Sequence, residues 1–536
     1  MSSKGKQGKV YLVGAGPGDP GLLTLRGREL LERAEVVIYD RLASPRLMDY
    51  VNPDAEKIYV GKRIGRHVAR QDEINDLIIE KAKEGKMVVR LKGGDPFIFG
   101  RGGEEAQIMA EQGVEFEIVP GVTSAIAVPA YAGIPLTHRA HTASVAFITG
   151  HRRMDETEAP VLWEGLAKGV GTLVFLMGMT NLPNIAANLI KFGRRPDTPV
   201  AVIRWGTTPF HQSITGTLED IAQRVKEAGF TPPAIIVVGD VVAVRDQINW
   251  YENRPLLGRR ILVTRTRSQA SELVRLLERK GAGCIECPTI EVRALADTDR
   301  IDSAIERLAR YDWIIFSSVN AVRFFFDRLD ALGLDIRALG STKIAAVGSS
   351  TADAIHGLHL KVDLVPEDFR AEGLVEAFRS LKMEGKRVLI PRAKVAREVL
   401  PEGLSEMGAQ VDVIPIYETV IPEVAPQTLE LLAEEKVDVV TFTSSSTVKN
   451  FLKALPRDLI DRIVSQARIA CIGPVTAKSA EKRGLRVDIL PERSTIASMV
   501  EAIERDFARQ DRALKGQGHG GDPADGGGPG KPGGPS

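Results

Sequence analysis

Residues 10–19 read VYLVGAGPGD, an apolar run that ends directly in a glycine-rich turn. A strand feeding such a turn opens many α/β nucleotide folds, where loop glycines let the backbone approach a pyrophosphate and the next helix N-terminus supplies partial positive charge. This turn opposes an anion, because Pro17 removes an N–H donor and Asp19 adds negative charge. The order Gly14-x-Gly16-x-Gly18 also brings the third glycine one position early for a dinucleotide fingerprint, and no Gly-Lys-Ser/Thr follows for a phosphate loop. What remains is a tight turn, or a loop packed against a flat, neutral or cationic ligand.

Outward from this stretch, short apolar runs alternate with helical patterns. Val10–Gly14, Val36–Asp40, Lys57–Gly61, Val88–Lys92 and Phe116–Val119 read as strands, and Leu22–Arg33, Asp72–Lys83 and Glu104–Gln112 as helices. After Pro135 a second series begins, with strands expected at Val145–Thr149, Thr172–Met177, Val200–Arg204 and Ala234–Val238. Such alternation predicts α/β sheets in two lobes. A polar, proline-containing segment, Asn249–Gly258, then separates this half from a run beginning RRILVTR at 259. After about residue 510 the chain turns glycine- and proline-rich, so 511–536 is expected to be a disordered tail.

The second half carries an internal repeat. RILVTR at 260 returns as RVLIPR at 387, DWIIFSSVNAV at 312 as DVVTFTSSSTV at 438, and KIAAVGSSTADAI at 343 as RIACIGPVTAKSA at 468, separated by 127, 126 and 125 residues. Two similar lobes commonly leave a ligand-binding cleft between them; a duplication that only stabilises the fold is the alternative.

With 536 residues the chain exceeds one core, and three or four compact units are expected. A net charge of +1 argues against a surface committed to nucleic acid or membrane. No apolar run forms a signal peptide or a span, so a cytoplasmic protein is expected. Three cysteines make no disulfide framework. Cys284 and Cys287 form a lone C-x-x-C, and His138, His141 and His151 lack carboxylate or thiolate company, so no metal site is expected.

A second acidic glycine block, LKGGDPFIFGRGGEEA at 91–106, follows another apolar strand. Glycines at strand ends expose backbone to a ligand, while Asp19, Asp40 and Asp95 would favour a positive one.

Taken in order, VGAGPGDPGLLT, YDRL, VGKR, RLKGGDPFIFGRGGEE, VPGVTSA, GIPLTHR and PPAIIVVGDVV resemble the tetrapyrrole methylases, and within them the uroporphyrinogen-III C-methyltransferases, over residues 8–250. The resemblance implies S-adenosyl-L-methionine as methyl donor, a sulfonium cation without phosphate, which answers the odd chemistry of the first turn. It implies donor binding by Pro17, Gly93, Gly94, Asp95, Ile98, Thr123, Ser124, Met177 and Gly206, the last in a looser match. It assigns Asp40 a proton-acceptor role and Lys62 a proton-donor role; for Asp40, a strand-end acid capping the next turn is the plain alternative. The substrate is carboxylate-rich, so Arg63 and Arg66, within the basic run from Lys62 to Arg70, become substrate-binding candidates, with a solvated basic loop as the other reading. The family's dimers make a homodimer the expectation, by analogy only.

Residues 258–505 resemble uroporphyrinogen-III synthase through RRILVTR, IIFSSVNAV, IAAVGSST, VIPIYETV and TFTSSSTV. That family implies two doubly wound α/β lobes, with the chain crossing between them twice and a linear bilane bound in the cleft. Across the repeat Pro288 matches Pro415 and Glu291 matches Glu418, but Ile290 matches Tyr417. The phenol that breaks the symmetry corresponds to the tyrosine implicated in that family, where it would hydrogen-bond or protonate the departing hydroxyl; a half-buried strand tyrosine is the alternative. Ser317, Ser318, Thr443 and Ser444, at strand ends before helices, are candidates for carboxylate binding. The expected whole is an enzyme that closes a bilane and methylates the product, with a non-catalytic sensing module, or a methylase for another corrinoid intermediate, as alternatives.

Overall fold

A computed structural model describes residues 8–61, 70–150, 161–265 and 267–517. The chain divides into two compact units, one containing the residues up to Ile261 with Arg275–Cys284 and the helix from Ile503, the other Leu262–Val274 with Ile285–Ala502.

The first half begins with strands β1 (Lys9–Gly14), β2 (Val36–Tyr39), β3 (Glu56–Tyr59), β4 (Met87–Lys92) and β5 (Glu115–Val119). They form a wholly parallel sheet in the order β3-β2-β4-β1-β5. The central strands β1, β2 and β4 are mainly apolar because both of their faces are covered, while β3 and β5 at the edges carry exposed charged residues. Val10, Leu12, Val36, Ile38 and Val88 enter one core, and Val13, Val37, Val89 and Leu91 the other. That period of two places Arg90 and Lys92 on the Val88 face of β4, where both are buried. The order β4-β1-β5 also sets three strand ends side by side, so the loops that follow them converge.

A second sheet follows, with β6 (Val145–Thr149), β7 (Thr172–Leu176), β8 (Pro199–Arg204), β9 (Gln212–Thr217) and β10 (Ala234–Val238), ordered β6-β7-β10-β8-β9. Every strand expected from the sequence is present in these two sheets. β9 was not expected: its sequence, QSITGT, is polar and only half-buried, so it lacks the apolar run that marks its neighbours.

The second half runs β11 (Arg260–Val263), β12 (Gly283–Glu286), β13 (Glu291–Ala294), β14 (Trp313–Phe316), β15 (Lys343–Ala346), β16 (Arg387–Ala393), β17 (Gln410–Val420), β18 (Val439–Phe442) and β19 (Arg468–Cys471). One sheet is ordered β12-β11-β18-β19 and the other β13-β17-β16-β14-β15. The chain thus leaves the first sheet after β12, builds the second, and returns at β18. This agrees with the two crossings between lobes that the synthase resemblance implies. Each sheet takes strands from both copies, and the repeat is exchanged between lobes.

Two boundaries also differ from expectation. The segment 249–258 is no free separator, since Tyr251 and Leu256 are buried. A helix occupies Ile496–Gln517, so 511–517 are helical because the polar, charged run ARQDRALKGQ continues the preceding turns; the rest of the expected tail lies outside the described residues.

Candidate functional site

The first site is built from loops after β1, β4 and β5. Gly16 and Gly94 form an antiparallel bridge, with Gly94 N donating to Gly16 O at 2.7 Å and Gly16 N to Gly94 O at 3.2 Å. Gly121, after β5, closes the junction: a Cβ there would stand 2.4 Å from Gly94 O and 2.7 Å from Gly14 Cα. Only glycine permits this approach, and Gly94 also has a φ of +69°. Three loops therefore meet backbone to backbone.

The two acids lock them. Asp95 accepts from Phe97 N at 2.8 Å and Gly121 N at 2.9 Å, tying the β4 loop to the β5 loop. Asp19 accepts from Gly21 N and from the Tyr131 hydroxyl, each at 2.7 Å. All four donors are neutral, so neither carboxylate has its charge cancelled by these bonds. Thr123 caps the helix Ser124–Tyr131 by accepting from Ala125 N at 3.3 Å.

The structure thus brings together Pro17, Gly93, Gly94, Asp95, Thr123 and Ser124, on three adjoining loops. Ile98 lies farther along the second loop and is exposed, between the exposed rings of Phe97 and Phe99. Gly206 belongs to a fourth loop, joined to the first where Asp19 N donates to Thr207 Oγ1 at 3.3 Å. Its own glycine requirement is steric, because a Cβ would lie 2.4 Å from Val128 Cγ1. Trp205, Thr207 and Met177 all have positive φ, at 49°, 66° and 55°, a strained conformation that concentrates at functional sites. Met177 directly follows β7 of the second sheet and is exposed.

Asp40 stands at the end of β2. It accepts from Leu42 N at 3.0 Å, so it does cap the next turn, and it lies 3.2 Å from Arg90 Nη2. The expectation that its charge favours a cationic ligand is therefore corrected: Arg90 already partners it. Behind this pair lies a network that the sequence reading missed. Lys92 Nζ donates to both oxygens of Glu105 at 2.8 Å, Gln71 Nε2 donates to the same carboxylate at 3.0 Å, and Arg90 Nε lies 3.7 Å from it. Glu105 is 1% exposed. Burial, with the neighbouring charge of Arg90, lowers the Lys92 pKa against the pull of Glu105. The available signal was two cations, at alternate positions of an apolar parallel strand, that demand a buried acid. Lys62, Arg63 and Arg66 lie outside the described residues.

In the second half Tyr417 is buried and sits beside a bulge. β16 and β17 pair from Arg387↔Gln410 to Arg392↔Pro415, then shift so that Ala393 meets Tyr417. Bulges re-aim side chains in this way. The Tyr417 ring stacks on Phe324 with centroids 5.5 Å apart, and its hydroxyl lies 2.9 Å from Ser318 Oγ. Ser318 also caps the helix Val319–Ala331, accepting from Ala321 N at 3.1 Å. Ser444 is its repeat counterpart, capping Ser445–Ala454, but it pairs with Ser446 Oγ at 2.8 Å. Ser317 and Thr443 precede these caps, Ser317 exposed and Thr443 half-buried. Among the described residues no cluster suited to a metal and no helix long and apolar enough to cross a membrane occurs.

Comparison with known proteins matches both halves. The sequence profile of the Tetrapyrrole (Corrin/Porphyrin) Methylases fits residues 9–222, and that of Uroporphyrinogen-III synthase HemD fits residues 271–501. The Porphyrin biosynthesis protein HemD of Ruminiclostridium josui is 40% identical over 499 residues, 93% of this chain and 98% of its own. The uroporphyrinogen-III C-methyltransferase of Bacillus subtilis (strain 168) is 46% identical over 341 residues, 64% of this chain and 70% of its own. The S-adenosyl-L-methionine-dependent uroporphyrinogen III methyltransferase of Methanosarcina barkeri is 56% identical over 242 residues, 45% of this chain and 95% of its own. Two α/β enzyme classes are therefore joined in one polypeptide. The chain belongs to the tetrapyrrole methylase family in its first half and to the uroporphyrinogen-III synthase family in its second, a bifunctional enzyme of tetrapyrrole biosynthesis.

Proposed function

We propose that the second half closes hydroxymethylbilane to uroporphyrinogen III and that the first half methylates this product twice, with S-adenosyl-L-methionine, to precorrin-2. The observation that carries the methylase reading is the junction of three glycine loops at adjacent strand ends, locked by Asp19 and Asp95 through neutral donors. Such a surface offers backbone groups and negative charge, which suit a sulfonium-bearing donor and repel a polyphosphate.

Pro17, Gly93, Gly94, Asp95, Thr123 and Ser124 would hold the donor there, with Ile98, Met177 and Gly206 at its margins. The donor supplies an activated methyl group, and the chain's task is to set the pyrrole carbon in line with it at near-attack distance. Asp40, oriented by Arg90, takes the proton released as the macrocycle rearranges. Lys62 as donor, and Arg63 and Arg66 as carboxylate partners, remain part of the reading on the family resemblance.

In the second half Tyr417 gives its proton to the departing hydroxyl. Ser318, 2.9 Å away, can turn its own O–H toward the phenol oxygen as negative charge develops there. Ser317, Thr443 and Ser444 are proposed to bind substrate carboxylates. A homodimer formed through the first half and a cytoplasmic setting complete the reading.

The methylase arm is tested by supplying uroporphyrinogen III with S-adenosyl-L-methionine and following product mass. Addition of two methyl groups supports it; no methyl transfer to this tetrapyrrole rejects it.

A further inference from the structure

The segment 249–254, which reads as a separator, is tied to the first glycine turn. Trp250 Nε1 donates to Ala130 O at 3.0 Å, and Arg245 Nη1 donates to Ala132 O at 2.8 Å. Arg245 also pairs with both carboxylate oxygens of Glu252, whose Oε1 lies 2.7 Å from His211 Nε2. Arg254 lies over both aromatic rings of the segment, 4.9 Å from that of Trp250 and 4.5 Å from that of Tyr251. Cation–π contacts of this kind hold a chain segment without burying it fully.

Tyr131 stands at the centre. Its ring centroid is 5.1 Å from that of Trp250 and 4.8 Å from that of Tyr251, while its hydroxyl donates to Asp19 Oδ2 at 2.7 Å. A second route reaches the same residue: Tyr251 OH donates to Thr207 O at 3.4 Å, and Thr207 Oγ1 accepts from Asp19 N. Asp19 is therefore held at its side chain through Tyr131, which packs on Trp250 and Tyr251, and at its backbone through Thr207, which Tyr251 contacts. Burial, then the bond to Asp19, raises the Tyr131 pKa above the ordinary phenol range, so it remains a donor at neutral pH.

We propose that Tyr131, Trp250 and Tyr251 are positioning residues for the first glycine turn, so that donor affinity depends on a segment outside both sheets of the methylase. The inference rests on the reading of that turn as part of the donor site. Tyr131→Phe keeps the ring packing and removes only the hydroxyl, and Trp250→Leu loosens the segment itself.

The full chain is titrated calorimetrically with S-adenosylhomocysteine. Both variants are expected to bind it roughly tenfold or more weakly, the scale for losing a hydrogen bond to a charged group, with the KM for the donor raised and the KM for the tetrapyrrole unchanged. Tyr311→Phe is the control: it removes a comparable bond, Tyr311 OH to Asp412 at 2.6 Å, and is expected to leave this affinity unaltered. Affinity within twofold of the parent in both Tyr131→Phe and Trp250→Leu overturns the inference, as does an equal loss in Tyr311→Phe. A parent chain that binds no S-adenosylhomocysteine overturns the donor-site reading and the inference with it.

Discussion

Ser318 Oγ lies 2.9 Å from the hydroxyl oxygen of Tyr417, and the two residues come from different copies of the internal repeat. The exchange of strands between copies makes this contact. In the symmetry-related position Ser444 corresponds to Ser318, and Ile290 to Tyr417, so the other lobe has no phenol to offer. One hydroxyl pair in a duplicated fold marks the place where the duplication has diverged.

Tyr417→Phe is expected to slow formation of the III isomer by about 10²- to 10⁴-fold, the usual range for losing a positioned acid. Ser318→Ala should cost less, and the double variant no more than Tyr417→Phe alone, because Ser318 acts through the phenol. Rates of ring closure measured on the three variants check this, with methylation of supplied uroporphyrinogen III unaffected.

Gly121→Ala places a methyl 2.4 Å from Gly94 O, and the junction must open. Donor affinity should fall at least tenfold. Gly103→Ala, which meets nothing within 4 Å, should leave it unchanged. Binding titrations on the two variants decide the matter.

Glu105 is enclosed with Lys92 and beside Arg90, so Glu105→Ala strands buried positive charge. A loss of about 3–5 kcal/mol in unfolding free energy is expected, from denaturant titration. Glu105→Gln, which keeps hydrogen-bonding oxygen but not charge, should also destabilise.

Glu252 titrates abnormally: burial works to raise its pKa, but hydrogen bonds from His211, Arg245 and Ser213 outweigh it and hold the carboxyl well below its ordinary 4.5. A depressed carboxylate contributes stability that is complete above the unfolded-state value and lost as pH falls toward the folded-state one. Thermal midpoints should therefore decline below about pH 4.5, and Glu252→Gln, less stable at neutral pH, should flatten that acid limb. An unchanged slope contradicts the assignment.

Much of this architecture was legible because parallel strands buried on both faces write themselves as apolar runs, as in Val10–Gly14 and Val88–Lys92, each closed by glycine. The candidate loops followed from the same pattern. β9 escaped because its polar residues are all exposed or half-buried and carry no apolar signature. Tyr131, His211 and Glu252 escaped for a different reason. Their partners lie 112 and 41 residues away, and a hydrogen bond across such distances leaves no local periodicity. The exchange between lobes came from the family resemblance alone, since the repeat gives the order of strands in the chain but not which copy they pair with.

Asp40→Asn should abolish methyl transfer while ring closure proceeds, the converse of Tyr417→Phe. The most direct test of the whole account is to supply hydroxymethylbilane to the parent chain, with and without S-adenosyl-L-methionine, and to score isomer and methyl count by mass spectrometry and chromatography. The account predicts uroporphyrinogen III without the donor and a dimethylated product with it. Formation of only the isomer I that arises without an enzyme, alongside intact methylation of added uroporphyrinogen III, would contradict the claim that both halves catalyse successive steps.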